Sequence, residues 1–161
     1  MDDRDIRPRI RIGVIGGSRP EHRFLELAYE VGCRIAKEGA ILVCGGLGGV
    51  MAEAARGARE NEGLTIGILP GGDPEAANPH IDVPIATGLG YTRNSLVAMN
   101  ADALIAIDGE YGTLSEIAFG KIYGKPVIGL GTWEVKGVVE AKSPRKAVKL
   151  ALDAAKGDAK L

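Results

Sequence analysis

The chain has 161 residues, 45% of them hydrophobic but only 4% aromatic, with 24 glycines. It reads as one domain (1–161) with an aliphatic core in which backbones approach closely. A formal charge of −1 lacks the basic footprint that nucleic-acid binding demands, so neither DNA nor RNA is an expected partner. Met1-Asp2-Asp3-Arg4-Asp5 is too charged to open a signal peptide and no apolar run is long enough to span a bilayer, which predicts a cytoplasmic protein without a membrane partner.

Residues 2–9 are a mixed-charge lead-in and residues 157–161 a small polar tail, so both ends (about 1–9 and 157–161) are expected to be flexible. A strand near 10–15 is followed by a helix near 21–38 whose stripe is Phe24, Leu27, Ala28, Val31 and Ile35. A strand near 40–44 leads to a helix near 49–61 with a small inner face of Met51, Ala54, Ala55 and Ala58, weakened slightly by Gly57. The third strand, near 64–69, ends in Pro70-Gly71-Gly72, and the stretch to Asp82 has loop chemistry of a length that suggests a part in selectivity. Val83-Pro84-Ile85 reads as a short strand whose proline places it at an edge.

A helix from about 91 to 100, a strand near 103–107 and a helix from about 113 to 123 follow, the last with Leu114, Ile117, Ala118 and Ile122 facing inward. A strand then runs from Pro126 to Leu130, and Ser143-Pro144 supplies an N-cap and first-turn proline for a final helix bearing Ala147, Leu150, Ala151 and Ala154. Continuous apolar strands alternating with helices predict the α/β class, a Rossmann-like open parallel sheet with helices on both faces.

Glycines cluster at the strand exits. Gly16-Gly17-Ser18, Gly45-Gly46-Leu47-Gly48-Gly49 with Met51, Thr87-Gly88 and Asp108-Gly109-Glu110-Tyr111-Gly112-Thr113 would line a crevice beside helix N-termini, where free N–H groups favour phosphate. The four glycines in 45–49 either receive a ligand or permit tight packing of helix on strand. No acidic ribose ligand follows the next strand, so a mononucleotide fits better than a dinucleotide. Thr113 and Glu116 form either a capping box or part of a site. Arg93, followed by Asn94 at a helix start, offers a guanidinium for phosphate or carboxylate. Cys33 and Cys44 read as free thiols, His22 and His80 as isolated polar positions, and neither a metal site nor a resident cofactor is expected.

Together, Gly45-Gly46-Leu47-Gly48-Gly49-Val50-Met51, Arg93-Asn94 and Gly112-Thr113-Leu114-Ser115-Glu116 resemble the LOG-like superfamily over about residues 10–155. That superfamily was long labelled lysine decarboxylase and is related in fold to DNA-processing protein A and to molybdenum cofactor carriers. The resemblance implies two activities: hydrolysis of the N-glycosidic bond of a nucleoside 5′-monophosphate, or non-catalytic carriage of a phosphorylated pterin or nucleotide. It gives catalytic roles to Arg93, orienting the substrate, and to Glu116, as a carboxylate at the anomeric carbon. Ligand contacts fall to Gly16, Gly17, Ser18, Gly45, Gly46, Gly48, Gly49, Met51, Thr87, Gly88, Asn94, Gly109, Gly112 and Thr113. It also implies a homo-oligomer paired through helices beside the pocket. The spelling looks closer to the branch that includes the carriers. Two positions depart from the PGG-x-GT-x-x-E signature, Asp108 in place of proline and Glu110 in place of glycine. Either Glu110 points away from the anion or the ligand's phosphate lies elsewhere, since two like charges about 4 Å apart cost on the order of 4 kcal/mol at a surface-like dielectric.

Overall fold

The computed structural model describes residues 9–157, so the predicted flexible ends fall outside the described residues apart from Arg9 and Gly157. Seven strands form one sheet in the order β4-β3-β2-β1-β5-β6-β7. They are β1 (Arg11–Gly16), β2 (Ile41–Cys44), β3 (Thr65–Leu69), β4 (Val83–Ala86), β5 (Ala103–Ile107), β6 (Val127–Leu130) and β7 (Val138–Glu140). Every neighbouring pair is parallel. The helices are α1 (His22–Lys37), α2 (Val50–Glu60), α3 (Asn94–Met99), α4 (Tyr111–Ile122) and α5 (Pro144–Ala155). Both faces of the sheet are covered, as a doubly apolar strand such as Ala103–Ile107 requires, all five of its residues being buried.

The winding reverses at β1. From β1 the chain steps outward through α1 to β2 and through α2 to β3, and both helices pack on one face with Ile12, Val14, Leu42 and Ile105. After β4 it crosses back over three strands to pair β5 with β1, and the connections bearing α3 and α4 lie on the other face with Ile15, Val43, Leu104 and Ala106. Right-handed crossovers travelling in opposite directions place their helices on opposite faces, so the exits of β1 and β5 part and leave a crevice.

Several expectations need correction. The helix placed at 91–100 is a 3-10 turn at Gly90–Arg93 followed by the six-residue α3. The strand β7 has only three residues, too short for its apolar pattern to register. The loop 70–82 contains a 3-10 turn, Pro74–Ala76, whose N-cap Asp73 accepts from the amide of Glu75 at 2.9 Å. Helix α4 starts at Tyr111, and its buried stripe is Thr113, Glu116, Ile117 and Gly120, which leaves Ala118 and Ile122 exposed. The reason is Gly120: a Cβ there would lie 2.6 Å from the side chain of Leu104, so this bare face is the one the sheet accepts. The proline-bearing β4 does sit at an edge. Among the described residues no helix is long and apolar enough to cross a membrane.

Candidate functional site

A cleft of about 290 Å³ opens where the exits of β1 and β5 diverge. Its walls come from the β1–α1 loop (Gly16, Gly17, Ser18, Arg19), from Leu47 and Met51, from Tyr91, Arg93 and Asn94, and from Asp108, Glu110, Gly112, Thr113 and Glu116. A larger groove of about 400 Å³ between α1 and α5 lies away from the strand exits, and some of its charges are already paired, Lys149 with Asp153 inside it and Arg34 with Glu30 outside it.

Arg93 is buried and each of its three nitrogens has an acceptor. Nε donates to the carbonyl of Ile68 at 2.8 Å, one terminal nitrogen to the carbonyl of Gly45 at 3.2 Å, and the other to Oδ1 of Asn94. The guanidinium thus ties the end of β3 to the exit of β2. This explains Gly45, where a Cβ would lie 2.6 Å from that guanidinium. Asn94 passes the connection on: its Nδ2 donates to Ser115 Oγ at 3.1 Å, and Ser115 Oγ donates to the carbonyl of Gly112 at 2.6 Å. The first turn of α4 is therefore fastened to Arg93.

Glu116 is set into the cleft wall with 7% of its surface exposed. Burial pushes its carboxyl from 4.5 up to about 8, opposed by the charge of Arg93, and no hydrogen bond to a described residue offsets the burial. Burial also lowers the Arg93 guanidinium, and the Glu116 charge works against that. The burial favours the protonated carboxyl over the carboxylate. The sequence reading had cast it as a carboxylate. Thr113 and Glu116 are not a capping box, because the N-cap is Glu110, which makes no side-chain cap. The amides of Tyr111, Gly112 and Thr113 find no carbonyl among the described residues, and the first bond into the helix is Leu114 N–H to Glu110 C=O at 3.0 Å.

Of the residues singled out in the sequence, Gly16, Gly17, Ser18, Met51, Arg93, Asn94, Gly112, Thr113 and Glu116 come together here. The others do not line the cleft. Gly45 sits behind Arg93, Gly46 packs over Gly67 and Leu69, and Gly48 faces open space. Gly49, at φ 66°, presses its α-carbon against the carbonyl of Gly17, where any Cβ would lie at 2.3 Å, and the amide of Val50 donates to that carbonyl at 3.0 Å. Gly109 packs on Thr113. Thr87 donates to the carbonyl of Leu69 at 2.6 Å at the far end of β4, and Gly88 follows it there. Nor does any residue of the loop 70–82 line the cleft; Asn78 braces the glycine loop instead, donating to the carbonyl of Leu47 at 2.8 Å.

Sequence reasoning passed over Arg19 and Tyr91, although each stands at a strand exit or two places before Arg93, where a cleft wall must lie. Glu110 lines the cleft in extended backbone (φ −108°, ψ −151°), so no glycine conformation is needed there. The left-handed positions are Asp108 (φ 51°) and Gly109 (φ 109°). Cys44 is buried, its thiol pushed up to about 12 by burial, and Cys33 is half-buried; both are free.

The sequence profile of the SLOG cluster4 family matches residues 9–158. The chain belongs to that family. Among solved structures, this SLOG chain is similar to the molybdenum cofactor binding protein of the phototrophic bacterium Rippkaea orientalis, with 36% identity, a TM-score of 0.87, and coverage of 92% of this chain and 98% of that one. It is also similar to the molybdenum cofactor carrier protein of Chlamydomonas reinhardtii, at 34% identity, TM-score 0.83, and coverage of 94% and 99%. The cytokinin riboside 5′-monophosphate phosphoribohydrolase of Mycobacterium tuberculosis is 33% identical over 140 residues, 80% of this chain and 74% of that protein. DNA processing protein A of Streptococcus pneumoniae, 15% identical with TM-score 0.71 over 88% of this chain and 61% of that one, shares the fold.

Proposed function

We propose that this SLOG protein binds a small phosphorylated ligand in the cleft between β1 and β5 and hydrolyses the N-glycosidic bond of a nucleoside 5′-monophosphate. Glu116 carries the reading: a buried carboxyl with no hydrogen-bond partner among the described residues and a pKa raised to about 8 is a group kept ready to give a proton. As the bond between the anomeric carbon and the base breaks, Glu116 protonates the departing nitrogen and the base leaves with the electron pair. The carboxylate so formed faces the positive ribose, and the water that adds to the anomeric carbon returns its proton to Glu116. The products are free base and ribose 5-phosphate. Free amides at the start of α4 supply donors for the ligand's oxygens. Arg93 holds the strand ends and the helix start in register.

The test is incubation with AMP, GMP and CMP and chromatography of released base. Glu116→Gln is expected to lose at least about 100-fold in rate while still binding nucleotide. Undiminished release in that variant removes the role. The wild-type rate should fall as pH rises through about 8, where the acid loses its proton.

The second reading, a carrier that holds the molybdenum cofactor as cargo, is favoured by the near-complete coverage of the Rippkaea and Chlamydomonas proteins and by Glu110 on the cleft wall. A carrier releases no base from any nucleotide and keeps its ligand intact through gentle purification, which mass spectrometry detects. Self-association belongs to either reading. It is supported by the outward stripe of α4, with Tyr111 79% and Ile122 72% exposed. An oligomer by light scattering that becomes a monomer in Ile122→Glu supports it, and a monomeric wild type ends it.

A further inference from the structure

Two cations line the cleft, and they differ in what they are free to do. Three of the five N–H groups of the Arg93 guanidinium already donate, two to main-chain carbonyls and one to Asn94, and its side chain is buried. Its position is held by the carbonyls at the ends of β2 and β3. Arg19 is the opposite case. It is exposed, it lines the same cleft, and it pairs with no described residue, whereas nearby Arg23 is occupied by Glu21 at 3.2 Å. The mount of Arg19 is nonetheless rigid. The carbonyl of Gly17, two residues earlier, accepts from Val50, and Gly49 packs against Gly17 and Ser18 with no space for a side chain.

Charge makes the same distinction. Asp108 and Glu110 line the cleft and outnumber the single charge of Arg93, so a phosphate dianion would meet net repulsion there unless another cation came to it. A guanidinium on a fixed loop can close on a phosphate with two parallel hydrogen bonds, which neither a neutral sugar nor a free base repays.

Resting on the reading of the cleft as a site for phosphorylated ligands, we infer that Arg19 is the residue that grips the ligand's phosphate, and that through it the cleft selects phosphomonoesters over the corresponding neutral nucleosides. Arg93 is then a positioning residue. The phosphate sits between the Arg19 loop and the start of α4, and Glu110 is left for the ligand's donor groups.

The test is calorimetric titration of ribose 5-phosphate, AMP and adenosine into the wild type, Arg19→Ala and Arg19→Lys. Arg19→Ala is expected to bind ribose 5-phosphate and AMP about 10- to 100-fold more weakly, the range of one charge-assisted contact, with adenosine unaffected. Arg19→Lys should fall between, having charge without the fork. Added salt should weaken the wild type more than Arg19→Ala. Equal affinity of wild type and Arg19→Ala for both phosphorylated probes overturns the inference while leaving the cleft reading standing. A wild type that binds neither ribose 5-phosphate nor AMP overturns both. An unchanged melting temperature in Arg19→Ala shows that the fold is intact.

Discussion

Glu116 couples the cleft to the stability of the molecule. Its carboxyl is raised from 4.5 to about 8, so its stabilising contribution, made in the protonated form, is complete below about pH 4.5 and is lost as pH rises through about 8. Glu116→Gln keeps the shape and removes the ionisation. Its melting temperature should match the wild type near pH 5 and exceed it near pH 9, by roughly 2–4 °C for each kcal/mol recovered. Equal melting temperatures at pH 9 would mean that the carboxyl is not kept neutral. Arg93→Ala is expected to cost about 3 kcal/mol or more in urea unfolding, since it strips hydrogen bonds from the buried ends of β2 and β3. The sequence made Arg93 and Glu116 visible through their motif. The acceptors of Arg93 were not visible, because the carbonyls of Ile68 and Gly45 carry no side-chain signature and reach it only through folding.

Packing of helix on helix reverses what local propensity says at Gly57. Judged as a helix position, Gly57 weakens α2 and alanine should add about 1 kcal/mol. In the fold, a Cβ at Gly57 would lie 2.1 Å from the carbonyl oxygen of Tyr29 on α1. Gly57→Ala is therefore expected to destabilise by about 1–3 kcal/mol, read from the denaturant midpoint, because the two helices must move apart. At α5 the local signal was sufficient: Ser143 Oγ accepts from the amide of Lys146 at 3.2 Å, and Ser143→Ala should cost about 1 kcal/mol. The contrast explains which elements were legible. Caps and apolar stripes such as Phe24, Ala28, Val31 and Ile35 are written locally. The face α4 buries is chosen by Leu104, seven residues before that helix begins, and the three residues of β7 are held by pairing with Val127, Ile128 and Gly129.

The arrangement of the whole sheet sets where a ligand can bind and how binding is felt. Alternation of strand and helix predicted a parallel sheet covered on both sides. Which two exits would part is decided by the jump from β4 to β5, a long-range pairing such as Gly13 with Leu104 that no local pattern contains. A ligand held by both parted exits links β1 to β5 and should stabilise the entire fold. At 100 times the dissociation constant the gain is about 2.7 kcal/mol, which for a chain of this size raises the melting temperature by roughly 5–10 °C. A nucleotide bound tightly by calorimetry but without thermal shift would mean that it binds the unfolded chain as well as the folded one.

The two outer borders of the sheet share one property. One is the four-residue β4 interrupted by Pro84, which offers no N–H at that position, and the other is the three-residue β7. Long, flat, unpaired borders invite foreign strands and seed fibrils, whereas brief or proline-broken ones give them little purchase. Both borders of this aliphatic chain are thereby guarded against edge-to-edge pairing, and Pro84→Val, which restores the missing N–H, is expected to raise light scattering on concentration above that of the wild type.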